Sequence, residues 1–346
     1  MPIESTKPGE IVVRIPPRPD RPYDPRPRAL YTPDQLMEGW ETGQSLDQRT
    51  AEYYTREGSQ VPKNQDEALC QRIHDDFIDR LVLKFVEGEE PKAPQHRKIV
   101  GIMGGHAADR NNPVYAEVAK LGFGLTQAGY CVLTGGGPGV MEGANLGAYM
   151  SASYSRDELK DAVVMLGKAP SFPPLKSNDK ENAKQRRQYV EVACAVRKRY
   201  PNGAINLGIP TWAYADEPTG QFATHIAKYF ANSIREDGLL AIASHGVVFA
   251  PGAAGTSQEI FQDACHNSYW TFGYLAPMVF LGSDYYRRSP SLYDVALAAA
   301  NRDGYSDYLA LLDTAEAALA FINAHPPTRK RNSEATIGHT GFRREL

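Results

Sequence analysis

The chain is predicted to fold as an α/β domain with an open parallel sheet and helices on both faces. Two observations predict it. After Lys98, short apolar runs alternate with longer helical stretches, as in sheets whose strands are buried on both faces and joined by right-handed crossovers. Three of the runs end in glycine-rich turns that lead into helices. Those turns fall at the carboxyl edge of the sheet, where open parallel sheets hold their ligands.

Before the alternation begins, residues 1–31 are rich in proline and arginine, as in Pro16-Pro17-Arg18-Pro19 and Pro25-Arg26-Pro27-Arg28. Proline lacks an amide donor and has a fixed φ, so an extended arm is expected. It would lie on the domain or on a partner subunit, or dock a proline-reading module. Thr32-Pro33-Asp34-Gln35 reads as a helix start, with a threonine cap, proline in the first turn and a glutamine closing a capping box. A helix is expected over 65–87, where Leu69, Ile73, Phe77, Leu81 and Phe85 recur every four residues beside Ile78 and Val82.

Strands are then expected at 99–103, 130–133, 162–166, 204–207, 246–249 and 277–281. Helices are expected near 113–128, 139–154, 180–199, 221–242, 256–269, 290–301 and 314–324. Residues 1–96 read as an N-terminal extension and 97–325 as the α/β domain. The charged stretch 156–203 reads as an insertion in it, and 326–346 as a flexible tail carrying Arg329-Lys330-Arg331 and Arg343-Arg344.

Bulk properties narrow the class. The 346 residues are 42% hydrophobic and 23% charged, with a net charge of -3. That is ordinary for a globular protein, and it provides no positive field for a nucleic-acid polymer or an anionic membrane. No apolar run reaches the length of a membrane span. Cys70, Cys131, Cys194 and Cys265 are widely spaced, which argues against a disulfide framework or a zinc site and for a reducing cytoplasm. The N-terminus lacks the apolar segment of a secretory signal.

The glycine turns are the residues that suggest chemistry. Gly104-Gly105 follows the first strand, Gly135-Gly136-Gly137-Pro138-Gly139 the second, and Gly252-Ala253-Ala254-Gly255-Thr256 the strand at 246–249. Glycine lets the backbone approach a ligand closely, and a helix starting there offers free amides that suit phosphate. Any one such turn can equally be a tight connection. No G-x-G-x-x-G and no G-x-x-x-x-G-K-[ST] occurs, so the ligand is expected to be smaller than a dinucleotide or triphosphate, a monophosphate. Thr256 is placed to cap its helix and to donate its hydroxyl to a phosphate. Glu259 falls in the first turn of that helix, where it can serve the site or complement the helix dipole. Arg235 reads as a site residue or a surface arginine, and His106 and His245 as structural.

The segment Gly135-Gly136-Gly137-Pro138-Gly139-Val140-Met141-Glu142 resembles the GGGxxGxM element of the LONELY GUY (LOG) family. The segment from Pro251 to Glu259 resembles its PGGxGTxxE element. The first strand and turn, Gly208-Ile209-Pro210, and the 277–281 run followed by Tyr285-Tyr286 are similar to the family's flanking pieces in order. The resemblance covers roughly 97–325 outside the insertion. It implies a Rossmann-like fold and hydrolysis of the N-glycosidic bond of nucleoside 5′-monophosphates such as AMP, giving free base and ribose 5-phosphate. It also implies Arg235 and Glu259 as catalytic residues. Gly104, Gly105, Gly135, Gly136, Gly137, Gly139, Met141, Gly252, Ala253, Gly255 and Thr256 would bind substrate. No metal or cofactor is implied, and a homodimer or larger homo-oligomer is. Cytokinin riboside monophosphates, or nucleotide binding without turnover in a sensor or carrier, are the alternatives. Three departures stand out: Ser233-Ile234-Arg235-Glu236 lacks the histidine and lysine that flank the family's arginine, Ala253 replaces a glycine, and the extension and insertion have no counterpart in short members.

Overall fold

The computed structural model describes residues 3–7, 10–13, 18–88, 96–174, 180–214 and 217–330. Pro16, Pro17, Arg331, Arg343 and Arg344, part of the arm and tail readings, lie outside these residues.

The core is a seven-stranded parallel sheet. Its strands are β1 (Lys98–Met103), β2 (Tyr130–Thr134), β3 (Leu207–Gly208), β4 (His225–Ile226), β5 (Val247–Phe249), β6 (Met278–Leu281) and β7 (Leu309–Leu312). In space they run β7-β6-β5-β1-β2-β3-β4. The chain winds outward from β1 to β4, then returns to the other side of β1 at β5. That reversal puts the switch point between β1 and β5, at the carboxyl ends of the central strands.

Strand side chains alternate between two apolar layers. Ile99, Met103, Leu133, Phe249 and Phe280 face one layer, and Val100, Ile102, Val132, Val248 and Val279 the other. On the first face pack α2 (Gln65–Glu87), α7 (Asn232–Ala241), α8 (Ala254–Tyr269) and α9 (Leu292–Asp303), through residues such as Ile78, Leu239, Ile260 and Ala296. On the second pack α3 (Pro113–Gln127), α4 (Val140–Met150) and α10 (Ala315–Ala324). The fold is therefore a Rossmann-like open sheet covered on both faces. Helices α3 and α4 approach so closely that a Cβ on Gly147 would lie 1.8 Å from the Ala119 carbonyl oxygen.

Several predicted elements shift. Residues 162–166 are not a strand but the end of α5 (Arg156–Leu166), which starts at a Ser155–Glu158 capping box. The expected helix 221–242 divides into β4 and the shorter α7. Strand β7 and helix α1 (Leu46–Arg56) were not anticipated. Helix α6 (Lys180–Arg199) has the predicted bounds.

The N-terminal residues lie against the sheet, but not in an extended conformation throughout. Ile3–Lys7 and Glu10–Val13 form an antiparallel pair, and residues 18–31 follow as bends and turns that bury Tyr23, Pro27 and Leu30, not as one extended arm. Thr32 caps a four-residue helix, with the expected reciprocal bonds to Gln35. Tyr31 exchanges both backbone hydrogen bonds with Ile226 on edge strand β4 (2.9 and 2.8 Å). The predicted stripe on α2 rotates: Leu69 is exposed, and the buried face carries Glu67, Gln71, His74 and Asp75 before Ile78, Val82 and Phe85. Polar residues on a buried face need partners. Glu67 accepts from Tyr23 (2.6 Å) and Tyr53 (2.8 Å), and His74 bridges Tyr31 and Asp75. At the other end, Thr328–Arg329 pairs with Tyr274–Leu275, so the first residues of the expected tail are held.

Candidate functional site

The three glycine turns meet at the switch point. The Gly105 amide donates to the Pro251 carbonyl (3.0 Å), and the Gly105 carbonyl accepts from the Val140 amide (3.2 Å). The β1 turn thus links the β2 turn to the β5 turn. Close approach is needed here: Gly139 has φ +71°, and a Cβ on it would sit 2.6 Å from the Gly105 oxygen. Gly104 packs on Val140, Gly136 on Pro210 and Gly252 on Thr256. A buried polar chain anchors the β2 turn. Thr134 accepts from the Gly136 amide (3.0 Å) and donates to Asn145 (2.6 Å), which donates to Asn206 (2.9 Å).

The β5 turn opens to solvent at Ala253, Ala254 and Gly255. Helix α8 begins at Ala254 with Ala253 as its cap residue and no side-chain cap bond. This corrects the expectation that Thr256 caps the helix: Thr256 is its third residue, buried, with its hydroxyl against Gly252. The first amides of a helix have no partner within it and form a partly positive anion site. Tyr285 donates to the Gly252 carbonyl and Tyr286 to that of Ala250 (2.8 Å), which fixes the turn from below.

Arg235 is not a surface residue. It is buried on α7, and its Nε donates to the Ile209 carbonyl (2.7 Å) and an Nη to that of Gly135 (3.1 Å). Glu259 stands in the second turn of α8, not the first, because the helix begins earlier than the sequence suggested. Burial pushes its carboxyl up to about 7, the Arg235 charge opposing the rise and Glu236 adding to it. Arg235 is near enough for its charge to act on the Glu259 carboxyl, although its own hydrogen bonds go to the Ile209 and Gly135 carbonyls. Met141 lies over the β2 turn, its Sδ 2.8 Å from a Cβ placed on Gly135 and its Cε 2.7 Å from one on Gly137.

One residue of this cluster was missed. Glu217 follows β3 on the loop after Pro210, and its carboxylate oxygens stand 3.1 and 3.2 Å from a Cβ placed on Gly137. Burial raises its pKa, while Arg235, Lys228 and His106 oppose the rise. Its place on the loop that follows the strand expected at 204–207 was the available signal. Beside it opens a cleft of about 1620 Å³, lined by His106 and Pro138 from the turns, Trp40 and Asp47 from the extension, Arg186 from the insertion, and Glu217. Neither Arg235 nor Glu259 lines it. Arg235 stands by Gly135 of the β2 turn, and Glu217, which lines the cleft, by Gly137. At the cleft wall Lys228 pairs with Asp47 (2.7 Å), which also accepts from Trp212 (2.9 Å) and Thr219 (2.6 Å).

The remaining polar clusters hold the frame. Glu142, beside Met141 on α4, takes two hydrogen bonds from Arg110 (2.7 and 2.6 Å) and one each from Tyr115 and Tyr189 (3.0 and 2.8 Å). This ties α6 to the helix that follows the β2 turn. His245 packs at the amino end of the sheet, its amide donating to the Ile99 carbonyl, and burial lowers its pKa to about 4. Among the described residues no group of three or more His, Cys, Asp or Glu side chains could hold a metal ion, and no helix is long and apolar enough to cross a membrane.

Residues 97–155, which span β1, α3, β2, the glycine turn and α4, match the model of the SLOG cluster4 family. No curated protein matches the chain. Two solved structures are similar over most of their own length. The molybdenum cofactor binding protein of Rippkaea orientalis is similar at 16% identity, with a TM-score of 0.40 over 67% of this chain and 98% of that one. The molybdenum cofactor carrier protein of Chlamydomonas reinhardtii is similar at 16% identity, with a TM-score of 0.38 over 66% of this chain and 98% of that one.

Proposed function

We propose that the protein hydrolyses the N-glycosidic bond of nucleoside 5′-monophosphates, releasing free base and ribose 5-phosphate. The observation that carries this reading is the set of three linked strand-end turns, with Arg235 bonded to the β2 turn and Glu259 on the helix that leaves the β5 turn. Cleavage of the bond builds positive charge on the ribose as the electron pair leaves with the base, and water supplies the hydroxyl at the anomeric carbon. A carboxylate beside that carbon stabilises the charge, as in glycosidases. Glu259 takes this role. The start of α8 at Ala254–Thr256 takes the 5′-phosphate, and holding it supplies binding energy away from the bond that breaks. Arg235 balances the negative charge of the phosphate or the leaving base. The β2 turn and Met141 face the nucleoside.

A second reading, nucleotide binding without turnover, is favoured by one observation. Two of the donors of Arg235 are already committed to backbone carbonyls, leaving fewer for a substrate. The test is to incubate the protein with AMP, GMP, CMP and isopentenyl-AMP and assay free base, beside Glu259→Gln and Arg235→Ala. Base release that falls at least a hundredfold in both variants, roughly the loss of one transition-state charge contact, supports hydrolysis at this site. Unchanged release in both removes the site assignment. Tight nucleotide binding with no release from any substrate establishes the carrier reading, and release from isopentenyl-AMP alone establishes a cytokinin preference.

A further inference from the structure

The geometry points to Glu217 as the residue that selects the base, by accepting two hydrogen bonds from a purine edge with adjacent N–H donors, the 2-amino-6-oxo edge of a guanine-type base. This rests on the nucleotide-site reading above.

Along the β2 turn the side chains follow a fixed order. Arg235 and Met141 stand over Gly135, and Met141 and Glu217 over Gly137. A nucleotide whose phosphate sits at the start of α8 and whose ribose reaches Glu259 would extend its base along this turn, past Met141 toward Glu217 and the cleft. Glu217 is the only one of the three with acceptors to offer. No donor among the described residues hydrogen-bonds its carboxylate, although Arg235, Lys228 and His106 are close enough to stabilise its charge. Two of these three groups already have acceptors elsewhere. Lys228 is paired with Asp47, and Arg235 donates to two carbonyls.

An ionised carboxylate is acceptor-only, with two oxygens set for two parallel donors. Guanine presents N1–H and N2–H side by side. Hypoxanthine keeps N1–H and loses the amine. Adenine presents an amine beside an unprotonated ring nitrogen, whose lone pair would face the carboxylate. Cytosine offers an amine next to an acceptor in the same way. The order of affinity follows from donor count: the guanine base first, hypoxanthine next, adenine and cytosine last. A well-formed bidentate pair discriminates by roughly ten- to a hundredfold.

The test is binding of GMP, IMP, AMP and CMP to the full chain by calorimetry, for the parent, Glu217→Gln and Glu217→Asp. Binding, not turnover, is read, so the result does not depend on hydrolysis. We expect GMP to bind about tenfold or more tightly than AMP, with IMP between them. In Glu217→Gln the amide nitrogen meets one of the two donors, and the GMP-to-AMP ratio should fall to near one. Glu217→Asp, which keeps the charge but shortens the reach, should retain part of the preference. AMP binding as tightly as GMP in the parent overturns the inference while leaving the nucleotide site standing. So does a ratio unchanged in Glu217→Gln. Failure to bind any monophosphate removes both readings. Melting curves of the variants separate lost selectivity from lost folding, and a Glu217→Gln protein that does not fold shifts the decision to the Glu217→Asp ratio.

Discussion

Glu259 shows how one side chain can be readable in part. Its identity and motif were evident from the sequence; its environment was not. A glutamate near a helix start would ordinarily complement the dipole in solvent. Here α8 begins earlier, the residue falls in the second turn, and burial raises its pKa to about 7 with Arg235 opposing. If the carboxylate form stabilises the developing ribose charge, kcat/KM should rise with pH through about 7 and level off above it. The profile should lose that step in Glu259→Gln. A step of opposite sign, with activity falling as pH rises through the same point, would mean that Glu259 acts as the acid. Arg235 and Glu217 were less legible. Taken alone, Arg235 reads as a surface residue, because nothing local signals its two carbonyl acceptors, which come from the turns after β2 and β3, far away in sequence. Glu217 lies in a loop, and its contact with Gly137 exists only once β2 and β3 are paired.

At the scale of elements, periodicity found the long helices and the buried strands, and failed where it is ambiguous. A short apolar run can be strand or buried helix, and 162–166 proved to be helix because the capping box at Ser155 starts it upstream. The run expected as a strand at 204–207 keeps only its end, Leu207, in the two-residue β3, and the two-residue β4 is too short to carry a pattern. Helix α8 bears a further element-level consequence. Asp263, one turn beyond Glu259 on the helix, is buried with no hydrogen-bond partner among the described residues, and burial raises its pKa to about 8. In the unfolded chain this carboxyl has an ordinary value near 4. Between about pH 4 and 8 the folded state holds a proton that the unfolded state releases, so stability is highest at the acid end of that window and is lost as pH rises through about 8. The total is on the order of several kcal/mol, because every tenfold gain in proton affinity on folding contributes about 1.4 kcal/mol. Asp263→Asn should therefore be more stable than the parent at about pH 8 and differ little near pH 4. Equal melting temperatures at the alkaline end would show that the Asp263 carboxyl is hydrated in the folded state.

At the scale of the whole molecule, the sequence separated an extension from an α/β domain by composition, but the physical connection between them is a buried polar relay that composition does not show. Asp75 on α2 accepts the amides of Phe230 (3.0 Å) and Ala231 (2.8 Å), the residues that lead into α7, and its neighbour His74 bonds Tyr31, which extends the sheet edge. Phe230 and Trp212 also stack into an aromatic cluster with Tyr23 and His74. The extension thus sets the start of the helix that carries Arg235. Asp75→Ala leaves two amides and a histidine nitrogen without their acceptor. Each lost bond to a charged group is worth roughly 1.5–3 kcal/mol, so the three together are expected to cost on the order of 4–9 kcal/mol. Because the relay joins both parts, extension and sheet should unfold together: urea melts followed by tryptophan fluorescence and by far-ultraviolet circular dichroism should coincide in the parent. In Asp75→Ala the common midpoint should drop. Nucleotide binding should weaken as well, since α7 loses the contact that positions its first turn. Two separate transitions in the parent, or an Asp75→Ala protein with normal binding and midpoint, would mean that the extension rests on the sheet without supporting the site.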